Sequence, residues 1–265
     1  MGWRNPHLGR QAIGLGAHVS DGAQVLTEAL PRGRDGLKRA VDLVVGLILL
    51  AACLPVILVI AVGSALTLRA WPFFVQERIG RDGQTFRFLK IRTLPTATNP
   101  YADKYSLAEL DIPRFTRLLR ALHLDELPQL LLVVLGRMSL VGPRPEMPTL
   151  HAALPPGFAQ ARSRVRPGCT GLWQVGVDCD GLIGEAPEYD AYYVAHRSQR
   201  LDLWILWQTV RKVVSGGAGQ VVLDEVPTWA SRPRVDTAVD FIVVDLTDDG
   251  GASSPVAAAL EAQPV

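Results

Sequence analysis

The organisation of this chain is decided by two neighbouring stretches, LDELPQ at residues 124–129 and MSLVGPRPE at residues 138–146. The first places two carboxylates, Asp125 and Glu126, side by side. The second is a Gly/Pro-rich turn that carries Arg144 between two prolines. Adjacent acids suit a nucleophile that works beside a metal ligand or an acid/base partner.

The basic residues around the acids narrow the chemistry further. Arg120 precedes them, and arginine is the side chain that best grips phosphate with two parallel hydrogen bonds. A cation held by one or two carboxylates usually completes its coordination with phosphate oxygens and water. Acidic pairs are also common at helix starts, where they complement the helix dipole, so the pair by itself would more often be structural. With its neighbours, the pair predicts chemistry on a diphosphate.

Three long motifs in a fixed order resemble the signatures of the bacterial sugar transferase family, the monotopic phosphoglycosyl transferases. They are LDELPQ, MSLVGPRPE and RPGCTGLWQV at residues 166–175. The resemblance runs from about Lys38 to Val214, and three such motifs are far more specific than one short pattern. It implies transfer of a sugar phosphate from a nucleotide diphosphate sugar, expected to be a UDP-sugar, to undecaprenyl phosphate. Such a reaction begins exopolysaccharide or glycoconjugate assembly.

The resemblance also implies roles for individual residues. Asp125 is expected to attack the β-phosphate, displace the nucleoside monophosphate and form a covalent aspartyl–phosphosugar intermediate. Glu126, together with Asp125 beside it, is expected to hold Mg²⁺, the predicted cofactor. The expected phosphate-binding residues are Arg120, Arg144, Lys90 and Arg92. The substrate-pocket candidates are Gln129, Pro143, Gly168, Thr170, Gly171 and Gln174.

Residues 85–92 alternate between polar and apolar side chains, which predicts a β-strand after a turn at residues 81–83. Lys90 and Arg92 would then share one face of the strand. The alternation alone leaves open whether this basic face binds phosphate or is simply solvated.

An apolar segment precedes the strand. No charged residue lies between Leu43 and Leu68, which is long enough for a straight transmembrane helix. Pro55 near its middle and basic residues on both sides favour instead a re-entrant hairpin with both ends in the cytoplasm. The resemblance implies the same topology. The expected anchoring residues are Lys38, Arg39, Asp42 and Pro55, with Arg39 as the partner of Asp42.

The predicted fold class is α+β: a membrane-embedded re-entrant helical hairpin, a small cytoplasmic catalytic domain and interfacial amphipathic helices. One of these helices is expected within residues 188–214, with core packing as the alternative. The predicted divisions are a mobile tail at 1–36, the re-entrant helix at 37–69, the catalytic domain at 70–215 and an acidic, partly disordered extension at 216–265. The expected location is the inner membrane.

Composition limits the partners. The net charge of +1 conceals a basic front half, which suits anionic lipid or phosphate ligands, and the resemblance implies a membrane and a polyprenol phosphate acceptor. No nucleic-acid partner is expected, and the oligomeric state stays open, with a homodimer as one candidate. The three cysteines form no CxxC pair and no metal-ligand spacing, which favours a reduced compartment.

The sequence departs from the family pattern at several positions. Leu132, Leu135 and Arg137 replace residues that are Asn, Lys and Asp in that pattern, and residues 176–178 replace a usual Gly-Arg pair. The segment after the acids is therefore expected to be buried more deeply or to lie on the membrane. The departures keep open a membrane-anchored pseudoenzyme that scaffolds a polysaccharide assembly complex. A single-span protein whose soluble domain transfers phosphate between soluble molecules is a further alternative.

Overall fold

The structure is a computed structural model that describes residues 35–99, 110–179, 181–215 and 220–230. Helices and strands alternate along these residues, so the predicted mixture of α and β elements is confirmed. Most of the predicted N-terminal tail and of the acidic extension lies outside the described residues. The divisions at residues 36, 69 and 215 stay predictions.

The chain begins its described part with one long apolar helix, α1 (Asp35–Leu68), which contains Pro55. It is long and apolar enough to cross a membrane, by length and composition. The predicted hairpin is not confirmed, because α1 is continuous through the proline. One face of α1 is buried against the rest of the protein at Asp42, Gly46, Ile57, Ile60, Ala61 and Ser64. Many of the remaining positions expose large apolar side chains.

A β-hairpin follows α1 and confirms the strand prediction. Strand β1 (Phe73–Ile79) pairs antiparallel with β2 (Thr85–Ile91), and Phe74 lies opposite Lys90. The turn is a short 3₁₀ segment at Arg81–Gly83. Asp82 and Gly83 both have positive φ there, a conformation that suits glycine and is tolerated by aspartate.

The remaining elements are short and are wrapped around a second, two-stranded parallel sheet. The helices are α2 (Arg114–Ala121), α3 (Gln129–Val134), α4 (Pro148–Ala152), α5 (Pro156–Ser163), α6 (Leu172–Val175), α7 (Pro187–His196) and α8 (Gln199–Val214). The parallel strands are β3 (Ser139–Val141) and β4 (Gly168–Thr170). Further 3₁₀ segments occupy Leu124–Glu126, Ile183–Glu185 and Leu223–Glu225.

Glycines let the chain after β3 approach β4 closely. A Cβ atom on Gly168 would lie 2.1 Å from the backbone nitrogen of Gly142, and one on Gly171 would lie 2.2 Å from the carbonyl oxygen of Gly142. Both distances are far inside van der Waals contact, so no larger residue fits without backbone movement. The glycines of RPGCTG are therefore required by packing.

Two apolar clusters form the core. The larger one joins both sheets and the helices after them, and it includes Val221, Val226 and Ala230 from the chain beyond α8. The start of the C-terminal extension is thus packed onto the domain. The smaller cluster joins Ile57, Ile60 and Ala61 of α1 to Ile91 and Leu119. The long helix is therefore part of the protein core.

Helix α8 has one buried and one exposed face. Ser198 caps its start by accepting a hydrogen bond from the backbone N–H of Leu201. The buried face consists of Leu201, Asp202, Trp204, Ile205 and Gln208. The exposed face carries Leu203, Trp207, Val210, Val213 and Val214. The core-packing alternative therefore holds for Trp204, whereas Trp207 is on the outer face.

The hydrogen-bond partners of Asp42 differ from the predicted partner. Its carboxylate accepts hydrogen bonds from Ser139 Oγ at 2.7 Å and from the backbone N–H of Leu140 at 3.2 Å. The nearest cation is Lys38, whose Nζ lies 3.9 Å away. Arg39 instead donates to the carbonyl oxygens of Val133 and Val134 at the end of α3. The predicted Arg39–Asp42 pair is wrong, because the open carbonyls of α3 attract that guanidinium.

Candidate active site

The acid pair lies in the 3₁₀ turn between α2 and α3. His123, just before the turn, has a left-handed backbone with φ of 55°, a conformation that costs a non-glycine residue energy. The turn directs Asp125 inward, where it is 5% exposed, and leaves Glu126 half-buried. Two neighbouring acids therefore have different surroundings.

Three cations from three elements surround the pair. Lys90 comes from β2, Arg120 from the last turn of α2 and Arg144 from the loop after β3. Arg144 Nη2 lies 3.5 Å from Glu126 Oε1. Arg120 is steadied by Thr93, with 3.4 Å between Nη1 and Oγ1. The charges of Lys90 and Arg120 both act on Asp125. The structure thus brings together five of the six residues expected at the reacting centre, and the exception is Arg92.

The pKa values of Asp125 and Lys90 are shifted toward each other. Burial and the charge of Glu126 raise the pKa of Asp125 to about 6, against the opposing effect of Lys90 and Arg120. Burial lowers the pKa of Lys90 to about 8, although Asp125 and Glu126 favour its charged form. Near neutral pH the aspartate is therefore ionised and the lysine still protonated. This is the state that a carboxylate nucleophile attacking an anionic phosphate requires.

Glu126 is the more strongly ionised of the two acids. Burial alone would raise its pKa, but the charges of Arg144 and Lys90 outweigh burial and lower the pKa below the usual value. Gln129 also favours the ionised form, although its buried amide nitrogen meets no partner with full hydrogen-bond geometry among the described residues. Gln129 is the one substrate-pocket candidate placed beside the acids in this way.

The other substrate-pocket candidates lie among packing contacts within the domain. Gly168 and Gly171 are packed against Gly142, and Thr170 Oγ1 lies 2.8 Å from Thr209 Oγ1 of α8. Gln174 is half-buried, and both polar atoms of its side chain lack partners among the described residues. Pro143 is buried in the turn that carries Arg144. A substrate role for these residues stays a prediction.

Arg92 shares the face of β2 with Lys90, as expected, but its side chain is directed elsewhere. Its guanidinium lies over the ring of Phe74 at 5.7 Å and donates to the carbonyl oxygen of Trp71. Lys90 lies over the same ring at 5.2 Å. Only Lys90 of this pair acts on the charges of Asp125 and Glu126. Arg92 is therefore at the edge of the site.

The residues that depart from the family pattern have several different surroundings. Leu132 is buried in the larger cluster, whereas Leu135 and Arg137 are exposed after α3. Asp178 accepts a hydrogen bond from the hydroxyl of Tyr189 at 3.2 Å. The segment after the acids is thus buried at Leu132 and exposed at Leu135 and Arg137, and its predicted position on the membrane stays a prediction.

The sequence predicted no function for two arginines that support the site. Arg78 Nη1 donates to the carbonyl oxygen of Pro145, and Arg162 Nη2 donates to that of Arg144. Both therefore hold the turn that presents Arg144. The signal for Arg162 was its place four residues before the RPGCTGLWQV motif, but its contact partner is 18 residues away along the chain.

Asp125 and Glu126 also decide where a metal could bind. Within the described residues, no group of three or more His, Cys, Asp or Glu side chains could hold a metal ion. Two adjacent carboxylates nevertheless fit Mg²⁺, which is commonly held by one or two carboxylates together with substrate phosphates. The donor set is therefore compatible with an ion that arrives with a diphosphate.

Comparison with known proteins gives consistent matches. A family model described as bacterial sugar transferase matches residues 33–216. The chain is 35% identical over 192 residues to the exopolysaccharide production protein ExoY of Sinorhizobium fredii, which covers 66% of this chain and 84% of that protein. It is 37% identical over 193 residues to a UDP-glucose:undecaprenyl-phosphate glucose-1-phosphate transferase of Caulobacter vibrioides, which covers 70% of each protein.

A longer relative shares only its corresponding part. The chain is 31% identical over 191 residues to the UDP-N-acetylgalactosamine-undecaprenyl-phosphate N-acetylgalactosaminephosphotransferase of Aeromonas hydrophila. This match covers 68% of the chain and 44% of that protein, so the chain spans less than half the length of this relative.

Proposed function

Because this chain belongs to the bacterial sugar transferase family, we propose that it transfers a sugar phosphate from a UDP-sugar to undecaprenyl phosphate. The names of the Caulobacter and Aeromonas relatives include a donor and an acceptor of these classes. The observation that carries the proposal is the buried Asp125, whose pKa is raised to about 6 beside Glu126 and three cations. The product would begin exopolysaccharide or glycoconjugate assembly.

The proposed reaction has two displacements at phosphorus. An oxygen of ionised Asp125 attacks the β-phosphorus of the donor, and the bond from that phosphorus to the bridging oxygen breaks. The nucleoside monophosphate leaves with the electron pair, and the sugar phosphate stays on Asp125 as an acyl phosphate. A phosphate oxygen of undecaprenyl phosphate then attacks the same phosphorus and releases the carboxylate. Two easier steps thus replace one difficult transfer.

The cations have separate roles in this scheme. Lys90 and Arg120 offset the negative charge that Asp125 and the donor bring together, since both act on the Asp125 carboxylate. Arg144 is held beside Glu126 and grips phosphate oxygens of the diphosphate. Preorganised charges of this kind stabilise a transition state without having to move during the reaction.

Asp125 and Glu126 would hold Mg²⁺ when the donor binds. The bound ion would neutralise charge on the diphosphate and stabilise the departing nucleotide. Glu126 suits this role because its lowered pKa keeps it ionised.

We further propose that α1 enters the membrane and returns, with the catalytic domain on the cytoplasmic side of the inner membrane. Near its start, Lys38 Nζ lies 2.7 Å from Asp202 of α8. Near its end, Ser64 donates to the carbonyl oxygen of Arg92 at 2.5 Å. Both ends of the helix therefore contact the same domain. A helix with ends on opposite sides of a bilayer would carry one end away from that domain.

Exposed apolar side chains extend the proposed membrane surface beyond α1. They include Phe115 and Leu118 of α2, Leu131 of α3, Leu135, and the outer face of α8. Trp71, which follows α1, is 71% exposed, and tryptophan is favoured at the membrane–water interface. Such a surface would bring a soluble donor and an insoluble acceptor to one site.

The first test measures release of nucleoside monophosphate from a panel of UDP-sugars, with undecaprenyl phosphate and Mg²⁺ present. Wild-type protein is expected to release UMP from at least one donor. Asp125→Asn removes the nucleophilic oxygen anion with little change in shape and is expected to abolish release. Removal of Mg²⁺ by a chelator is expected to do the same. A well-folded wild-type protein that releases nothing from any donor would favour the scaffold alternative.

A further inference from the structure

The turn that carries Arg144 has each of four successive carbonyl oxygens held by a different donor. The donors are Gly168 N to Pro143 O at 2.9 Å, Arg162 Nη2 to Arg144 O at 2.8 Å, Arg78 Nη1 to Pro145 O at 3.1 Å, and Ile79 N to Glu146 O at 2.9 Å. Two of these donors are arginine side chains from distant elements. An arginine used in this way fixes backbone and is not available for a substrate.

Arg162 is deeply buried and its charge is already paired. Its side chain is 4% exposed and that of Asp190 is 1% exposed. Arg162 Nε and Nη2 lie 3.2 and 2.8 Å from Asp190 Oδ2. Burying such a pair usually brings little net stability compared with apolar residues of similar volume. Stability alone therefore gives a weak account of the pair.

The bond from Arg162 restrains a torsion that the prolines do not fix. Pro143 and Pro145 have fixed φ angles, and a residue before proline is restricted to extended conformations. The ψ angle of Arg144 still has a range within that region, and it decides where the carbonyl of Arg144 points. A hydrogen bond to that carbonyl holds ψ and, with it, the direction of the Arg144 side chain.

We propose that Arg162 and Asp190 are positioning residues that hold Arg144 in place to grip the diphosphate of the donor. Asp190, from α7, orients and neutralises the guanidinium of Arg162, and Arg162, from α5, fixes the backbone of Arg144. Neither residue touches the substrate in this arrangement. This inference rests on the proposed function, because it assigns a purpose to the Arg144 side chain.

A double-mutant cycle separates positioning from a merely structural role. Arg162→Met and Arg144→Met are made alone and together, and nucleotide release and thermal midpoint are measured for each. A displacement of about 1 Å can cost roughly 10²-fold in rate, so Arg162→Met is expected to lower kcat/KM by about that factor. In the Arg144→Met background, the same change is expected to cost less than about 3-fold, because coupled residues are not additive.

The thermal midpoint gives the contrasting readout. It is expected to fall by the same amount when Arg162→Met is made in either background, since Arg162 contacts Asp190 and the backbone of residue 144 but not the Arg144 side chain. Losses of release that multiply in the double variant would overturn the proposal, because Arg162 would then act independently of Arg144.

Arg162→Met leaves Asp190 buried without its partner, which can prevent folding. The variant Arg162→Met/Asp190→Asn removes both charges and still removes the bond to Arg144. It is expected to fold and to keep the roughly 10²-fold loss of release. Folding with wild-type release would overturn the proposal. Arg164→Met, a change of the same charge two residues along, is the matched control and is expected to keep full release.

A failure of the proposed function would give a different set of results from a failure of the positioning role. If folded wild-type protein releases no nucleotide, binding of a UDP-sugar replaces release as the readout. Arg162→Met is then expected to weaken binding when Arg144 is present and to leave it unchanged in the Arg144→Met background. Equal weakening in both backgrounds would overturn the positioning role.

Discussion

Asp42 of the long apolar helix accepts a hydrogen bond from Ser139 of β3, with 2.7 Å between the carboxylate Oδ2 and the hydroxyl Oγ. Strand β3 leads directly into the turn that carries Arg144. The helix that would enter the membrane is thus joined by a buried bond to the strand that positions a phosphate-binding side chain.

Asp42→Ala is expected to destabilise the protein by about 1–3 kcal/mol, because it leaves the Leu140 amide buried without its acceptor and leaves the Ser139 hydroxyl with only the carbonyl oxygen of Val141. Thermal unfolding in a fixed detergent measures the change. Val41→Ala, at an exposed position of the same helix, is the control and is expected to stay within about 0.5 kcal/mol of wild type. Equal effects of the two changes would contradict the role of Asp42.

Nucleotide release is expected to depend on pH through two groups. Asp125 must be ionised to attack, so activity should rise as pH increases through about 6. Lys90 must be protonated to offset charge, so activity should fall as pH increases through about 8. A bell-shaped profile of kcat/KM measured from about pH 5 to pH 9 is the expected result. Higher Mg²⁺ should move the acid limb to lower pH, since a cation favours the ionised carboxylate.

Lys90→Met and Arg92→Met form a matched pair on one strand face. Lys90→Met is expected to lower kcat by roughly 10²-fold or more, by analogy with loss of one oxyanion donor. It should also move the acid limb to higher pH, because the charge of Lys90 lowers the pKa of Asp125. Arg92→Met should leave the acid limb in place. An equal shift of the limb in both variants would show that the strand face acts as a whole.

Gly168→Ala is expected to cost more than about 3 kcal/mol or to prevent folding, because its Cβ would lie 2.1 Å from backbone. Gly157→Ala is the control, since a Cβ there meets nothing within 4 Å. The control should be neutral or should stabilise α5 slightly, since alanine favours helix over glycine. Chemical denaturation of both variants measures the contrast, and a stable Gly168→Ala protein would contradict the close approach to Gly142.

The topology of α1 can be tested with cysteines placed at its two ends. Gly36→Cys and Arg69→Cys are made after replacing the three native cysteines. Both are expected to react with a membrane-impermeant thiol reagent from the same side of sealed vesicles. Gln84→Cys, in the exposed hairpin turn, reports the side of the domain. Labelling of the two ends from opposite sides would exclude re-entry.

The local features of this fold were predictable from the sequence. Period-two alternation located β2, and the apolar run located α1, because each pattern belongs to one element. The acid pair and Arg144 were found for a similar reason, since each lies within a short stretch of characteristic residues. The structure then showed that Lys90 and Arg120 join them.

Contacts between distant elements were not predictable in this way. Arg39 was expected to pair with Asp42 because the two are neighbours on a helix, but it binds the end of α3. The Arg162–Arg144 contact likewise depends on how α5 meets the turn after β3. Gly168 and Gly171 looked like substrate-pocket residues, whereas their surroundings are set by the approach of two backbones. Such choices depend on the assembled fold, and a single sequence does not reveal them.

Helix α1 supplies Ile57, Ile60 and Ala61 to the cluster that also contains Ile91 and Leu119. A truncated chain that lacked α1 would therefore expose the apolar surface of β2 and α2 to water. Under the membrane topology proposed above, we expect insertion of α1 and completion of the tertiary structure to depend on each other. A water-soluble fragment with the native site is therefore not expected from removal of α1, and the proposed topology makes lipid part of the medium in which the protein completes its fold.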